Sequence, residues 1–402
     1  MNVPKLRFKE FNDKWKPINL ANTFQYFSTN SFSREQLSES GILKNLHYGD
    51  IHRKYNSIVN ENKDITSYIK DINYVNKYEL LKNNDLIFAD ASEDYEGIGK
   101  AVEVVNVNNN TVSGLHTILA RDNSNVFAPM FKGYYFNSPI VHNQVRVLAN
   151  GFKVYGISRD SINKLNIRIP SIQEQSKIAN TLYLLDKKIE LQTKKIEDLK
   201  LFKLRLFENL TCKIEECIKV KEIGTLKNGY AFKNSQYDDD GLYNILTISN
   251  VNGNMYINDI FKNHYSFLPK DIQNHQILKE KDILISMTGN VGRVSYNKGK
   301  NNLLNQRVGI LEIKENVNKD FIFYMLNNKK FENAMIDCGQ GAAQLNISKS
   351  DIENFSIPYP NNQSQTKISK ILNIISKKIK IENDKLNHYI NLKKGLMQNM
   401  FV

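Results

Sequence analysis

Polar and aromatic side chains recur together in the loops of this chain, and their types suit hydrogen bonding to nucleic-acid bases. Asparagine and glutamine can pair bidentately with adenine in the major groove of DNA, and arginine can pair with guanine. The candidates in the first half of the chain are Ser92, Tyr95, Lys100, His116, Arg121 and Lys153. The candidates in the second half are Thr288, Asn290, Arg293, Gln306, Arg307, Gln340 and Gln344. Each residue by itself also suits a solvated loop, so the prediction of base contacts rests on the whole set.

One acidic pattern is compatible with catalysis. Asp282 and the Glu-Ile-Lys sequence from Glu312 to Lys314 each lie in a stretch that reads as a strand, as in carboxylate and metal dependent nucleases. The alternation of apolar and polar residues from 308 to 313 suits a solvent-facing Glu312 equally well. A stand-alone nuclease is therefore an alternative and not the main prediction.

Other catalytic motifs are absent from the sequence. The turn from Gly97 to Lys100 lacks the spacing and the following hydroxyl residue of a phosphate-binding P-loop. The chain has no Pro-Pro dipeptide, which the Asn-Pro-Pro-aromatic loop of adenine methyltransferases requires, and no Gly-x-Ser-x-Gly sequence. Neither the histidines nor the cysteines show metal-ligand spacing. We therefore predict that the chain has no catalytic residues and binds no metal.

Charge favours a polyanionic partner. The chain has 55 lysines and arginines against 42 acidic residues, a net charge of +13. Neutralising phosphates with such residues releases counterions and adds affinity for nucleic acid. Codon bias toward lysine, asparagine and isoleucine would also produce this excess, so charge alone does not decide. The N-terminal residues lack the apolar core of a signal peptide, and no apolar run reaches membrane-spanning length, which predicts a cytoplasmic protein.

A long helix is predicted from Gln173 to Leu210. Its apolar positions alternate in steps of four and three residues, which is the seam of a coiled coil, and no glycine or proline interrupts them. The seam consists of Ile178, Leu182, Leu185, Ile189, Gln192, Ile196, Leu199, Lys203, Leu206 and Leu210.

The same helix occurs a second time, 190 residues later. The second seam consists of Ile368, Leu372, Ile375, Ile379, Glu382, Leu386, Tyr389, Lys393, Leu396 and Met400. The match extends upstream, where Pro170 corresponds to Pro360 and Gly151 to Gly341. The chain is therefore a tandem repeat of about two hundred residues in which each copy ends in a coiled-coil helix.

Each repeat begins with a domain of mixed α/β type. Short apolar and β-branched stretches at 85–89, 100–105 and 117–120 predict strands. The predicted domains are residues 1–170 and 213–360, and the predicted helices are residues 171–212 and 361–402. The helices are near copies, whereas the loops at 91–97 and 287–291 differ. This contrast predicts a fixed scaffold carrying two domains of different specificity.

Over nearly its full length the chain resembles the DNA specificity subunit of type I restriction-modification systems. The residues that carry the resemblance in the first half are Lys5–Phe8 with Trp15, Asn84–Tyr95, Ile98–Val102 and Gly114–Leu119. In the second half they are Asn305–Val308, Gly339–Gly341 and Asn346–Ser348, together with the junctions that end at Pro170 and Pro360. The combination is specific, although each piece alone is weak.

The resemblance implies a fold and a set of partners. Two target-recognition domains would each read one half of a bipartite site in double-stranded DNA, held apart by two long antiparallel helices in a pseudo-two-fold arrangement. The chain itself would be non-catalytic and would bind no cofactor. It would dock two methylation subunits, which use S-adenosylmethionine, and through them restriction subunits that use ATP and Mg²⁺. One departure is that the sequence from Lys153 to Gly156 differs from its counterpart, Ala343 to Asn346, so contacts do not transfer between the two domains.

The polar residues in each seam predict a register. In one antiparallel arrangement Lys203 lies against Glu382, and Gln192 lies against Lys393. A polar seam residue commonly fixes the register of a coiled coil.

Two other classes of protein are alternatives. One is a stand-alone DNA enzyme, either a nuclease or a methyltransferase, which metal-dependent cleavage by the purified chain would reveal. The other is a coiled-coil scaffold that dimerises between chains, which would form a symmetric homodimer.

Overall fold

The computed structural model of this protein describes residues 3–70, 78–108, 110–151, 154–339 and 345–402. The chain forms two compact units. Unit 1 consists of Met1–Lys194 and Asp384–Val402, and unit 2 consists of Lys195–Asn383. Each unit contains a head built of strands and short helices, together with part of two long helices.

The head of unit 1 is built on a five-stranded sheet. The strands of the whole head are β1 (Lys16–Ile18), β2 (Phe24–Phe27), β3 (Leu37–Ser38), β4 (Lys44–Leu46), β5 (Ile58–Asn60), β6 (Tyr68–Ile69), β7 (Leu86–Ala89), β8 (Ala91–Ser92), β9 (Ala101–Val105), β10 (Thr111–Ser113), β11 (Thr117–Asp122), β12 (Tyr155–Gly156) and β13 (Ile167–Ile169). The main sheet has the order β2, β11, β7, β9, β5, and a four-stranded sheet has the order β10, β4, β6, β3. Strand β1 pairs with β13, and β8 pairs with β12.

The short helices of unit 1 surround these sheets. They are α1 (Leu20–Thr23), α2 (Tyr48–Arg53), α3 (Glu61–Asp64), α4 (Phe131–Phe136), α5 (Pro139–Leu148) and α6 (Arg159–Asn163). The first long helix, α7 (Ile172–Thr211), begins just after Pro170.

The three predicted strands are confirmed as β7, β9 and β11, and their burial explains why they read as continuous apolar runs. Leu86 and Phe88 of β7 pack into one hydrophobic cluster, whereas Ile87 and Ala89 pack into another. Side chains alternate between the two faces of a strand, so a strand covered on both faces needs apolar residues at every position.

Within the described residues, unit 2 repeats this plan with fewer strands. They are β14 (Cys217–Lys219), β15 (Gly224–Asn228), β16 (Tyr243–Leu246), β17 (His264–Tyr265), β18 (Ile283–Ser286), β19 (Val294–Tyr296), β20 (Asn302–Leu304), β21 (Val308–Ile313) and β22 (Ser356–Pro358). The main sheet has the order β15, β21, β18, β19, and a second sheet has the order β17, β16, β20. The helices are α8 (Val220–Ile223), α9 (Lys319–Leu326), α10 (Lys329–Cys338), α11 (Lys349–Glu353) and the second long helix, α12 (Asn362–Asn399).

Both predicted long helices are confirmed, and their apolar seams face inward. Every predicted seam residue is buried or half-buried. The exposed leucines and isoleucines of α7 and α12, such as Leu184, Leu191 and Ile381, all lie off the seam. No described helix combines the length and the apolarity that a membrane span needs.

The long helices run antiparallel within each unit, as the resemblance implies, but the predicted register is wrong. In unit 1 the Nζ of Lys393 lies 2.5 Å from the carboxylate of Asp186. In unit 2 the buried carboxylate of Glu382 lies 3.3 Å from Lys195 and 3.1 Å from Lys378. Lys203 instead lies against the ring of Tyr324. The polar seam residues therefore pair with off-seam residues of the other long helix, Asp186 and Lys195, with Lys378 of the same helix or with a ring of the head, and the seam pattern alone does not show these partners.

Buried polar side chains attach the start of α7 to the head of unit 1. The fully buried amide of Gln175 accepts a hydrogen bond from Ala128 N at 2.9 Å and donates to Val126 O at 3.0 Å. Next to it, the carboxylate of Glu174 receives two hydrogen bonds from Arg7 at 2.8 and 2.7 Å. Such satisfied buried polar groups fix the helix in one orientation on the head.

Candidate nucleic-acid interface

In unit 1 several predicted site residues gather where β7 ends. Asp90, the residue after β7, donates its backbone N–H to His116 O at 3.1 Å and accepts a hydrogen bond from Ile157 N at 2.9 Å. Ser92 lies opposite Tyr155 in the pairing of β8 with β12. These backbone bonds bring three distant parts of the sequence to one end of the main sheet.

Aromatic rings surround this end of the sheet. The His116 side chain is half exposed, and its ring lies edge-on to Tyr48 with the centroids 5.2 Å apart. Tyr48 also contacts the ring of His47 at 4.7 Å. Tyr95, which is 43% exposed, packs edge-on against Tyr155 at 5.2 Å. Exposed rings of this kind offer flat faces for stacking and polar edges for hydrogen bonding.

Burial sets the protonation of two groups beside His116. It raises the pKa of the Asp90 carboxyl, although the His116 imidazole, whose Nδ1 lies 3.3 Å from Asp90, opposes the shift. Burial also lowers the pKa of the His47 imidazole, with a further contribution from Arg34. His47 is therefore neutral near physiological pH, and its Nδ1 accepts a hydrogen bond from Gly49 N at 3.1 Å.

Unit 2 has the same backbone arrangement where β18 ends. Met287, the residue after β18, donates its N–H to Arg307 O at 3.1 Å and accepts from Ile347 N at 3.0 Å. His116 and Arg307 therefore occupy equivalent positions. His116 is the residue just before strand β11, and Arg307 is the residue just before strand β21. The Arg307 side chain is exposed, and no described residue forms an ion pair with it.

Further polar residues lie beside Arg307. Thr288 donates from Oγ1 to Asn346 Oδ1 at 3.4 Å, and the two residues form an isolated β-bridge. Gln306 is exposed and donates its backbone N–H to Tyr230 O at 2.9 Å. Asn290 is exposed in the turn that follows β18. The pairing of Met287 with Arg307 thus places Thr288, Gln306 and Arg307 at this end of the sheet, and Asn290 follows in the next turn.

Arg121 is not part of this surface. Its Nε and Nη2 each donate to the Asp85 carboxylate at 2.8 Å, and Nη2 also donates to Leu80 O at 3.0 Å. Nη1 donates to Glu79 at 2.5 Å, and the Arg121 side chain is 11% exposed. These bonds hold strand β11 to the segment before β7, which is a structural role.

Lys100 and Arg293 lie beside the ends of β7 and β18 through their backbones, because Ala89 N donates to Lys100 O at 2.9 Å and Ser286 N donates to Arg293 O at 3.0 Å. Their side chains have other partners. Lys100 donates from Nζ to His52 O at 3.2 Å, and burial and the charge of Lys393 lower its pKa. The Nε of Arg293 lies 3.5 Å from the Glu332 carboxylate. Both residues line cavities beside the long helices. Lys153, Gln340 and Gln344 lie outside the described residues.

Three residues of these clusters were missed by sequence reasoning: Tyr48, Tyr230 and Asn346. Asn346 stands 190 residues after Gly156, so the repeat itself marks its position as one where the two heads differ. Nothing in the spacing of Tyr48 or Tyr230 marks them, because only the folded sheet places them beside His116 and Arg307.

The acidic pattern considered for catalysis forms ion pairs with separate lysines. Glu312 lies 2.6 Å from Lys227, and Asp282 lies 3.4 Å from Lys319. Asp282 also accepts a hydrogen bond from Lys279 N at 2.7 Å, which closes its own turn. Within the described ranges no group of three or more carboxylate, histidine or cysteine side chains could hold a metal ion.

The sequence model of the type I restriction modification DNA specificity domain matches residues 12–201 and again residues 215–391. The chain therefore belongs to the family of type I restriction-modification DNA specificity subunits.

Curated relatives agree with this assignment. The chain is 28% identical over 363 residues to the putative type I restriction enzyme MjaX specificity subunit of Methanocaldococcus jannaschii. The aligned region covers 83% of this chain and 82% of that relative. It is also 28% identical over 269 residues to the type I restriction enzyme MjaVIII specificity subunit of the same organism, and this aligned region covers 60% of this chain and 62% of that relative.

Solved structures share the fold. The S subunit of a type I restriction-modification system from M. genitalium has a TM-score of 0.63 at 16% identity, with 100% of this chain and 99% of that chain covered. A chain from a structural study of complex assembly and conformational transition of the type I system has a TM-score of 0.59 at 14% identity, covering 95% and 96%.

Family membership confirms the prediction of a DNA specificity subunit. The chain is the recognition component of a type I system, which acts in a complex with other subunits and DNA, and is not its nuclease or methyltransferase. The alternative of a stand-alone DNA enzyme is therefore wrong.

Proposed function

We propose that each head of this chain reads one half of a bipartite sequence in double-stranded DNA, and that His116 and Arg307 are the equivalent reading positions. The first recognition domain comprises residues 1–170 and the second residues 213–360, on helices of residues 171–212 and 361–402. Two linked heads bind more selectively than either alone, because engagement of the second head is intramolecular.

The observation that carries this proposal is the equivalence of His116 and Arg307. The same backbone hydrogen bonds hold both residues at the end of a central strand, yet the side chains differ in chemistry. A guanidinium pairs bidentately with guanine, whereas an imidazole has a single donor or acceptor on each nitrogen. One scaffold with different side chains at one position supports two half-sites of different sequence.

Exposed apolar residues on the long helices support docking of protein partners. Those on α7 are Ile172, Leu184, Leu191, Leu201, Phe202 and Leu204, and those on α12 are Ile374, Ile381, Ile390 and Leu392. Large apolar side chains that stay exposed along a helix are suited to contact with a protein partner. We assign it to two methylation subunits that use S-adenosylmethionine, and through them to restriction subunits that use ATP and Mg²⁺. The complex would act in the cytoplasm, where its DNA target lies, and this chain would bind none of those cofactors.

The test is to sequence modified adenines in cells that express this chain with its methylation subunit. We expect a split target. The substitution Arg307→Ala should relax the sequence of one half only, at a cost of about 1–3 kcal/mol if Arg307 contacts a guanine. His116→Ala should relax the other half only.

A matched control is Lys314→Ala, which removes a positive charge from the other end of strand β21. Lys314 is exposed, and its Nζ donates to Glu222 O at 2.6 Å. We expect the methylated sequence to be unchanged. The proposal fails if Arg307→Ala and His116→Ala alter the same half, or if neither alters any base.

A further inference from the structure

A cavity of about 370 Å³ in unit 2 lies between the long helix α7 and the head. Apolar side chains, among them Leu204, Phe207 and Val294, form part of its wall. The charged residues that line it are Lys200, Lys203, Arg293, Lys329 and Glu332. Four basic side chains thus face a single carboxylate.

The one carboxylate does not neutralise this cluster. Glu332 lies 2.5 Å from the Nζ of Lys329 and 3.5 Å from Arg293 Nε. Lys200 and Lys203 have no carboxylate within ion-pair distance in the part of the chain that the structure describes. The Nζ of Lys203 lies 5.0 Å from the centroid of the Tyr324 ring, and burial lowers its pKa to about 8. The cavity therefore has an excess of positive charge near a lysine that is largely removed from water.

The equivalent lysine of unit 1 has a carboxylate partner. Lys393, which stands 190 residues after Lys203, lies over the ring of Tyr134, as Lys203 lies over Tyr324. In unit 1 the carboxylate of Asp186 lies 2.5 Å from Lys393 and accepts a hydrogen bond from Tyr134 Oη at 2.9 Å.

In unit 2 the residue at the position of Asp186 is Ser376. Tyr324 Oη lies 2.8 Å from Asn373 Oδ1 and 3.2 Å from Ser376 Oγ, so its hydrogen-bond partners at this position carry no negative charge. A lysine over a tyrosine ring is thus retained in both units, and Lys203 lacks the carboxylate partner that Lys393 has.

We propose that the cavity of unit 2 binds a phosphate group, which supplies Lys203 with the negative charge that Asp186 supplies to Lys393 in unit 1. The guanidinium of Arg293 and the ammonium groups of Lys200, Lys203 and Lys329 supply charge-assisted hydrogen bonds to such a group. Helix α10 begins at Lys329, so its N-terminal dipole adds positive potential at the same cavity. The apolar wall accommodates the organic part of a phosphate ester.

The test uses the full chain with its lysines reductively methylated with labelled methyl groups, so that each lysine gives its own nuclear magnetic resonance signal. The signals of Lys203 and Lys393 are assigned with the variants Lys203→Arg and Lys393→Arg. Adding inorganic phosphate should shift the Lys203 signal and raise the pKa of Lys203, while the Lys393 signal stays constant. Chloride at equal ionic strength should leave both signals unchanged.

Substitutions at Ser376 give a matched pair. Ser376→Asp supplies the missing carboxylate and should weaken phosphate binding by about tenfold or more, since a salt bridge then neutralises Lys203. Ser376→Asn introduces a side chain of nearly the same shape as aspartate but without its charge, so this variant should still bind phosphate. In unit 1, Asp186→Asn should make the Lys393 signal respond to phosphate.

Adding duplex DNA distinguishes two sources of the phosphate group, the DNA backbone and a small molecule. Displacement of bound phosphate by DNA identifies a backbone phosphate as the ligand, and simultaneous binding identifies a free phosphate or phosphate ester. Either result supports the site. A Lys203 signal that does not respond to phosphate, or an equal response in the Ser376→Asp and Ser376→Asn variants, overturns it. The measurement needs no target sequence and no methylation, so its failure would leave the half-site proposal untouched.

Discussion

Residues of the same type have different roles in this protein, and their surroundings decide which. Arg121 and Arg307 are both arginines at the ends of central strands. Arg121 is held by Asp85 and Glu79, whereas the guanidinium of Arg307 is exposed. An arginine whose donors already bind carboxylates has little capacity left for a base, because breaking buried charge-assisted bonds is costly. Arg307 is therefore the arginine that we assign to DNA.

Lys203 gives a prediction about stability and pH. Its pKa is lowered from an ordinary value near 10.5 to about 8 by burial, so the unfolded chain binds more protons than the folded chain between these values. Stability contributed by this site is therefore lowest below pH 8 and rises as Lys203 loses its proton. We expect Lys203→Met to be more stable than the wild type at neutral pH. The difference should shrink by up to about 3 kcal/mol toward pH 10.5, since one pKa unit corresponds to about 1.4 kcal/mol.

The measurement is the urea dependence of unfolding at several pH values in a buffer without phosphate. Lys200→Met is the control, because Lys200 is exposed. A stability difference between Lys203→Met and the wild type that stays constant across the pH range would contradict the prediction.

At the scale of elements, the apolar seam of each long helix packs into a core, and a buried glutamine near its start positions the helix on its head. Ile178 and Leu182 of α7 join the core of the first head, and Ile368 and Leu372 of α12 join the core of the second. Gln175 and Gln365, which stand at equivalent positions, are both fully buried and donate to the carbonyls of Pro170 and Pro360. These hydrogen bonds from the side-chain amides fix where each helix leaves its head.

The observed helix register predicts which seam residues are energetically coupled. Lys195 lies 3.3 Å from the buried carboxylate of Glu382, so a double-mutant cycle with Lys195→Met and Glu382→Gln should show a coupling of about 1 kcal/mol. The matched cycle with Lys203→Met and Glu382→Gln should be additive within about 0.5 kcal/mol, because these residues are not partners. Equal coupling in both cycles would argue against the register in this structure. Thermal or urea unfolding of the full chain supplies the free energies.

At the scale of the whole molecule, each compact unit combines a head with parts of both long helices. The core of unit 1 includes Trp15 of the head, Leu182 of α7 and Phe401 at the end of the chain. The ring of Phe401 stacks on Tyr135 with the centroids 5.4 Å apart. A head is therefore not stabilised by its own strands alone, and an exchanged head must keep its contacts with the helices.

Exchange of residues 20–165 for the matching domain of a relative should change one half of the methylated sequence and leave the other intact. The chimera should retain Ala128, which binds Gln175 through its backbone N–H, and Tyr134, which donates to Asp186. Sequencing of modified adenines gives the result. A change in both halves would show that the heads do not read independently.

The sequence alone determined the long helices, the repeat and the buried strands. Each of these depends on local periodicity: the heptad spacing of α7 and α12, the 190-residue offset, and the uninterrupted apolar run of β7. The resemblance added the two-headed architecture and the class of function, which the family match confirmed.

Only the tertiary structure decided which polar residues share a surface and which lysine pairs with which acid. His116 lies beside Asp90 because β11 pairs with β7, and Ser92 lies opposite Tyr155 because β8 pairs with β12, so the cluster depends on residues far apart in the chain. In the same way, Lys393 pairs with Asp186, whereas Lys203 has no such partner because the residue at the equivalent position is Ser376. Periodicity specifies which side of an element is buried, but the partner of a polar side chain is set by whichever groups the fold brings within hydrogen-bond distance.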